Sequence, residues 1–188
     1  GSRKSEVEYL APRFFQAAAL MKKAYPAMQF VVPAVPTLHA RITTLVDQAG
    51  MTGKIQIVSG QSHTVLAACD ATLIASGTAT LEAALFKRPM VIAYNMHWLS
   101  WKLMQQKKLQ PWVGLPNILC REFVVPELLQ DQATPQAMAE AMLQWFEAMD
   151  SNPAKIEALQ QRFLALHQTL RRDTSTLATD AIEKILTR

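Results

Sequence analysis

Cysteine, glycine and one-sided charge are all scarce in this chain, and each scarcity excludes something. Cys69 and Cys120 stand far apart and fit no metal-ligand spacing. A disulfide framework and a zinc site therefore lack their parts, and both residues read as reduced core thiols of a cytosolic protein. Only six glycines occur in 188 residues. Neither G-x-G-x-x-G nor G-x-x-x-x-G-K-[ST] is present, so the dinucleotide and P-loop fingerprints are missing. No apolar run reaches the roughly 20 residues needed to span a bilayer. The opening Gly1-Ser2-Arg3-Lys4-Ser5-Glu6 carries no secretory leader pattern. Nineteen Lys and Arg against fifteen Asp and Glu leave a net charge of only +4. That is too mild and too scattered for a nucleic-acid partner, and it allows a weak preference for anionic ligands or an anionic membrane face.

What is abundant is apolar and helix-forming. Half the residues are hydrophobic and 18% are charged, which is globular composition. The length suits one domain with a helical appendage. Ser5 and Glu8 have capping-box spacing, and Val7, Leu10, Phe14, Ala18 and Met21 then recur at helical period up to Tyr25-Pro26. Phe30-Val31-Val32 reads as a buried strand. Pro36 to Ala49 reads as a helix with Leu38, Ile42, Leu45 and Ala49 inward and Gly50 as its C-cap. Strands at 55–58, 71–75 and 89–93 alternate with helices at 62–69 and 78–86. Apolar strands alternating with helices predict a Rossmann-like parallel sheet with helices on both faces, the α/β class. From about residue 126 the pattern turns helical, with helices at 135–149, around Ile156 to Leu170 and around Leu177 to Ile185, and no strand. The division expected is thus a Rossmann-like domain over 1–125 and a helical segment over 126–188. Gly1-Ser2-Arg3 occupies a strand-to-helix loop without its strand, which suggests a chain cut from a longer protein; a cloning scar would also explain Gly1-Ser2.

Two loop-to-helix junctions can carry chemistry: Gly1-Ser2-Arg3-Lys4-Ser5 and Ser76-Gly77-Thr78-Ala79-Thr80-Leu81-Glu82. In a parallel sheet both lie at carboxyl ends of strands, where ligands bind. Helix amino ends suit phosphate. Gly77 lets backbone approach an anion closely, and Thr78 can cap the helix and offer a hydroxyl. Arg3 presents a fixed fork of donors to a diphosphate, or is simply a solvated terminal charge. Glu82 can accept both hydroxyls of a ribose, or merely complements the helix dipole. Asn117, in Leu115-Pro116-Asn117, either bonds a ligand or stabilises a turn. The loop Ser59-Gly60-Gln61-Ser62 is a candidate for a nucleobase. The segment from Met96 to Trp112 holds three Trp and three Lys, the composition of an interfacial helix; Trp98, Trp101, Lys107 and Lys108 are its candidate membrane and acyl contacts. His97 is a candidate contact for a phosphate. His39, His63 and His167 show no acid partner in the sequence, so surface or loop placement is their default. No cluster of metal-ligand spacing exists, and neither a metal nor a cofactor is expected.

Taken together these motifs resemble the lipid-A-disaccharide synthase family. The landmarks are Gly1-Ser2-Arg3 with Glu6-Val7-Glu8, Val31-Val32-Pro33, Ala75-Ser76-Gly77-Thr78-Ala79-Thr80-Leu81-Glu82, Pro89-Met90-Val91, Leu115-Pro116-Asn117, Glu127-Leu128-Leu129 and Leu166-His167-Gln168. The resemblance implies the carboxyl-terminal half of a two-domain GT-B glycosyltransferase of lipid A biosynthesis in Gram-negative bacteria. Such an enzyme moves 2,3-diacylglucosamine from UDP to 2,3-diacylglucosamine 1-phosphate. It further implies that Arg3 holds the UDP diphosphate and stabilises the leaving group, that Ser2, Ser76, Gly77 and Thr78 form the phosphate turns, that Glu82 holds the ribose, and that Asn117 lies in the same site. A peripheral place on the cytoplasmic face of the inner membrane follows from the same likeness.

The acceptor pocket and the general base would belong to an amino-terminal domain this chain lacks, so the chain alone is expected to be inactive. The face Leu177, Ala181, Ile182, Ile185 is then expected to be poorly covered, or buried against another chain such as a second copy. The competing readings are another UDP-sugar enzyme of the same architecture and a non-catalytic nucleotide-binding module that works with a partner chain.

Overall fold

A computed structural model describes residues 4–96, 101 and 110–186. The first helix, α1, is Lys4–Ala24. It starts ahead of the capping box that Ser5 and Glu8 suggest, and the Glu8 carboxylate is used elsewhere. Arg41 Nε donates to Glu8 Oε1 at 2.8 Å, and these bonds hold the Glu8 carboxyl below its ordinary range. Val7, Leu10, Ala18 and Met21 are buried as their spacing predicts, and Phe14 packs partly buried against the same core.

Strand β1, Phe30–Ala34, leads through a 3-10 turn at Pro36–Leu38 into α2, His39–Gln48. The end of α2 is a Schellman motif: Met51 N bonds Val46 O and Gly50 N bonds Asp47 O, both at 3.0 Å. Met51 is buried beneath it. Then come β2, Ile55–Ser59, α3, Ser62–Ala68, β3, Thr72–Ala75, α4, Thr78–Leu85, and β4, Met90–Tyr94. The pairings are all parallel. β1 pairs with β2, Phe30 opposite Ile55; β3 pairs with β4, Thr72 opposite Met90. This is the α/β architecture the alternation predicts. Among the described residues the ladders form two sheets, β1-β2 and β3-β4-β5.

The fifth strand corrects the sequence reading. Residues 115–120 form a short helix, α5, Leu115–Cys120. After it Glu127–Leu129 forms β5, which pairs parallel with β4, Ile92 opposite Glu127. The strand expected to be absent beyond residue 126 is present, and it makes β4 a central strand. Met90, Val91, Ile92 and Ala93 are accordingly all fully buried.

Helices α6, Pro135–Ser151, and α7, Pro153–Leu170, follow, each with Pro in its first turn. Thr134 caps α6 by accepting from Ala137 N, and Asn152 caps α7 by accepting from Lys155 N. Met138, Met142 and Trp145 line the buried stripe of α6. Trp145 Nε1 donates to Met90 O at 3.0 Å, which fixes α6 across β4. The last helix, α8, is Thr174–Leu186, and none of its residues is buried.

Candidate functional site

Parallel strands put their following turns on one edge. The ends of β3, β4 and β5 are adjacent, with Ala75 opposite Ala93 and Tyr94 opposite Leu129. The turn Ser76-Gly77 sits at that edge. Ser76 N bonds Ala93 O at 3.0 Å, which ties the turn to the tip of β4. Gly77 takes φ 153°, ψ −168°, a region in which a side chain is strained, and it is the N-cap residue of α4. Thr78 is therefore the first helical residue and does not cap the helix, contrary to the sequence reading; it is exposed. Thr80 closes the turn from below, where its buried Oγ1 donates to Gly77 O at 2.7 Å. The result is an open helix amino end at the carboxyl tips of the sheet, the geometry that binds anions.

A second layer of bonds supports this turn. Ser76 Oγ donates to Val113 O at 3.3 Å. Val113 N and Gly114 N donate to the two carboxylate oxygens of Glu127, at 2.9 and 2.8 Å. A Cβ at Gly114 would lie 2.3 Å from Ile92 Cδ1, so any larger residue there requires the Ile92 side chain to shift. Asn117 completes the cluster. Its Nδ2 donates to Val125 O and to Glu127 Oε1, and its Oδ1 accepts from Val124 N and Val125 N, all between 2.8 and 3.1 Å. Asn117 has no exposed surface. Its amide is thus spent within the protein, and of the two sequence readings the structure favours the internal brace over direct ligand contact. Glu127, which carries this loop, was seen in the sequence only as a family landmark; a carboxylate opening a strand gives no local sign of its distant partners.

On the other side of Ser76-Thr78, Glu82 lies one turn into α4. Its Oε2 is 3.3 Å from His63 Nε2. His63 also leans on Phe86, with ring centroids 5.8 Å apart and planes at 47°. The acid partner that the sequence does not reveal for His63 is therefore Glu82. His63 belongs to α3, which the turn Gly60-Gln61 precedes; both turn residues are left-handed, at φ 66° and 58°. The structure thus brings Ser76, Gly77, Thr78 and Glu82 together on one turn and helix, with the Gly60-Gln61-His63 segment alongside. His167 meets a cation instead of an acid: its Nδ1 is 3.0 Å from Lys87 Nζ.

Ser2, Arg3, His97, Trp98, Lys107 and Lys108 lie outside the described residues. Trp101 is half-buried. Trp112 packs edge-on against Phe123, ring centroids 6.2 Å apart. Both cysteines are unpaired, and burial pushes both thiols up from their ordinary values. No described helix is long and apolar enough to cross a membrane.

The comparisons with known proteins agree on one family. The model of the lipid-A-disaccharide synthetase family matches residues 1–182. Lipid-A-disaccharide synthase of Albidiferax ferrireducens is 67% identical over 186 residues, covering 99% of this chain and 48% of its own length. That of Verminephrobacter eiseniae is 64% identical with the same coverage. That of Bordetella pertussis is 49% identical over 199 aligned positions, 98% of this chain and 49% of the relative. The chain spans about half the length of the curated relatives it matches. Matched along nearly all its residues, it belongs to the lipid-A-disaccharide synthetase family.

Proposed function

We propose that this chain is the donor-binding half of a glycosyltransferase that moves 2,3-diacylglucosamine from its UDP carrier to 2,3-diacylglucosamine 1-phosphate. The observation that carries the reading is the open amino end of α4 behind Ser76-Gly77-Thr78, with Glu82 one turn further along, in a chain of this family. The amides of the turn and the Thr78 hydroxyl hold the diphosphate, and the Arg3 guanidinium adds a bidentate clamp. As the glycosidic bond to UDP breaks, negative charge grows on the leaving phosphate. Donors already aimed there stabilise that charge more than they stabilise the ground state, which raises the rate. Glu82 accepts the ribose hydroxyls. Asn117 serves the site through Glu127 and the Val113-Gly114 loop.

The base that takes the proton of the acceptor hydroxyl and the acceptor pocket come from the remainder of the enzyme. Donor binding then falls to the residues ahead of about 125 braced by Glu127 of β5, and the helical segment follows that strand. Trp98, Trp101, Lys107 and Lys108 supply the contact with the lipid surface, where an acylated substrate has to be met.

Calorimetry with UDP tests the donor site. Wild type is expected to bind, and Arg3→Ala to weaken binding by about tenfold or more, the loss of one charge-assisted bidentate contact. Equal affinities would remove Arg3 from the site, and absence of binding by the wild type would sink the reading.

A further inference from the structure

We infer that His63 is a positioning residue for Glu82, aiming its carboxylate at the ribose diol; the inference rests on the donor-site reading above. Glu82 is the second-turn carboxylate of α4, and its side chain is 40% exposed. An exposed Glu has three rotatable bonds, and leaving it to wander costs a ligand the entropy of fixing it at the moment of binding. Here the wandering is limited. His63 Nε2 reaches Glu82 Oε2 at 3.3 Å. The imidazole is itself held against the ring of Phe86, the C-cap residue of α4, four positions on from Glu82. Glu82 and Phe86 are neighbours on one helix face, so the histidine is gripped by the same surface it steadies.

The arrangement has little to do with holding the fold together. The His63 side chain is 72% exposed, and a contact that open contributes little to stability. Nor does α3 need it to stand, because Leu66 is the residue that anchors that helix in the core. What the pair does is join the start of α3, which follows β2, to α4, which follows β3. A His placed by Gly60-Gln61 thereby acts on a carboxylate placed by Gly77.

The probe is a pair of ligands that differ in one hydroxyl, UDP and 2′-deoxy-UDP. A carboxylate fixed on the diol rewards the 2′-hydroxyl, so the wild-type chain is expected to prefer UDP by about tenfold. Glu82→Ala should bring the ratio close to one. His63→Ala should cut it to about two- to threefold with an unchanged melting temperature, and His63→Arg, which can also hold a carboxylate, should restore it. If His63→Ala keeps the wild-type ratio while Glu82→Ala loses it, the positioning role is overturned and the donor site stands. If Glu82→Ala keeps the ratio, or if the wild-type chain binds no UDP, the donor-site reading fails and takes this inference with it.

Discussion

The site depends on a few residues whose replacement has a calculable cost. Gly77 sits at φ 153°, ψ −168°, a region essentially reserved for glycine, where strain costs of order 1–3 kcal/mol. Gly77→Ala meets no neighbouring atom within 4 Å, so the strain acts through backbone alone. It should lower the stability measured by urea unfolding by about 1–3 kcal/mol, without a change in m-value. A loss under about 0.5 kcal/mol would mean the turn relaxes freely. Asn117 is the other kind of residue, buried and fully bonded. Asn117→Ala takes away the side-chain partners of Val125 N and Val125 O and one donor to Glu127, while Val124 N keeps its bond to Glu122 O. Each buried orphan costs about 1–3 kcal/mol, so a total of about 2–6 kcal/mol is expected in the same assay. Asn117→Asp keeps the acceptor but puts a second carboxylate beside Glu127, and should be at least as damaging as the alanine at neutral pH.

Among the elements, α8 has a stability whose pH dependence can be signed. Asp173 stands just before it. Thr176 Oγ1 donates to Asp173 Oδ2 at 2.7 Å and Thr176 N to Asp173 Oδ1 at 3.1 Å. The hydroxyl bond first, then the backbone bond, hold the Asp173 carboxyl below its ordinary 3.8. A depressed carboxylate stabilises the folded form fully above its unfolded pKa and loses that effect as pH falls through the folded value. Helix α8 should therefore fray in acid, below the ordinary carboxylate range, while the buried helices persist. Amide exchange at Thr176 and Leu177, compared between neutral pH and about pH 3, checks it; protection that is the same at both, or fully kept at neutral pH in Asp173→Asn, argues against a charge-dependent cap. The elements show what periodicity can and cannot reveal. The amphipathic helices α1, α2, α6 and α7 were legible because one face is apolar at helical spacing. β5 was not, because three residues beginning with Glu127 carry no alternation, and that carboxylate points at a loop thirteen positions back. The same limit hid the pairing of His63 with Glu82. Both residues are plain in the sequence, but only the packing of α3 against α4 sets them side by side. Asn117 was legible as a polar residue in an apolar run, and its role was not, since all its partners lie seven or more positions further on.

For the molecule as a whole, the informative surface is the one without cover. Leu177, Ile182, Ile185 and Leu186 of α8 are 53%, 58%, 73% and 78% exposed. Four large apolar side chains on one helix, at close to helical spacing, are hard to reconcile with lasting contact with water. The occupant proposed for this open face is the part of the relatives' length that this chain does not span. The consequence can be measured by placing one substitution in two contexts. Ile182→Ser with Ile185→Ser removes apolar surface that this chain does not bury. Its effect on the urea midpoint of the isolated chain should stay within about 0.5 kcal/mol. In the full-length protein each side chain would lose an apolar contact worth about 1–3 kcal/mol, and turnover should fall with it as the two halves lose their common orientation. Equal losses in the two contexts would mean that the chain covers this face by itself. A wild-type chain that dimerises in light scattering, and a double variant that does not, would give the face to a second copy.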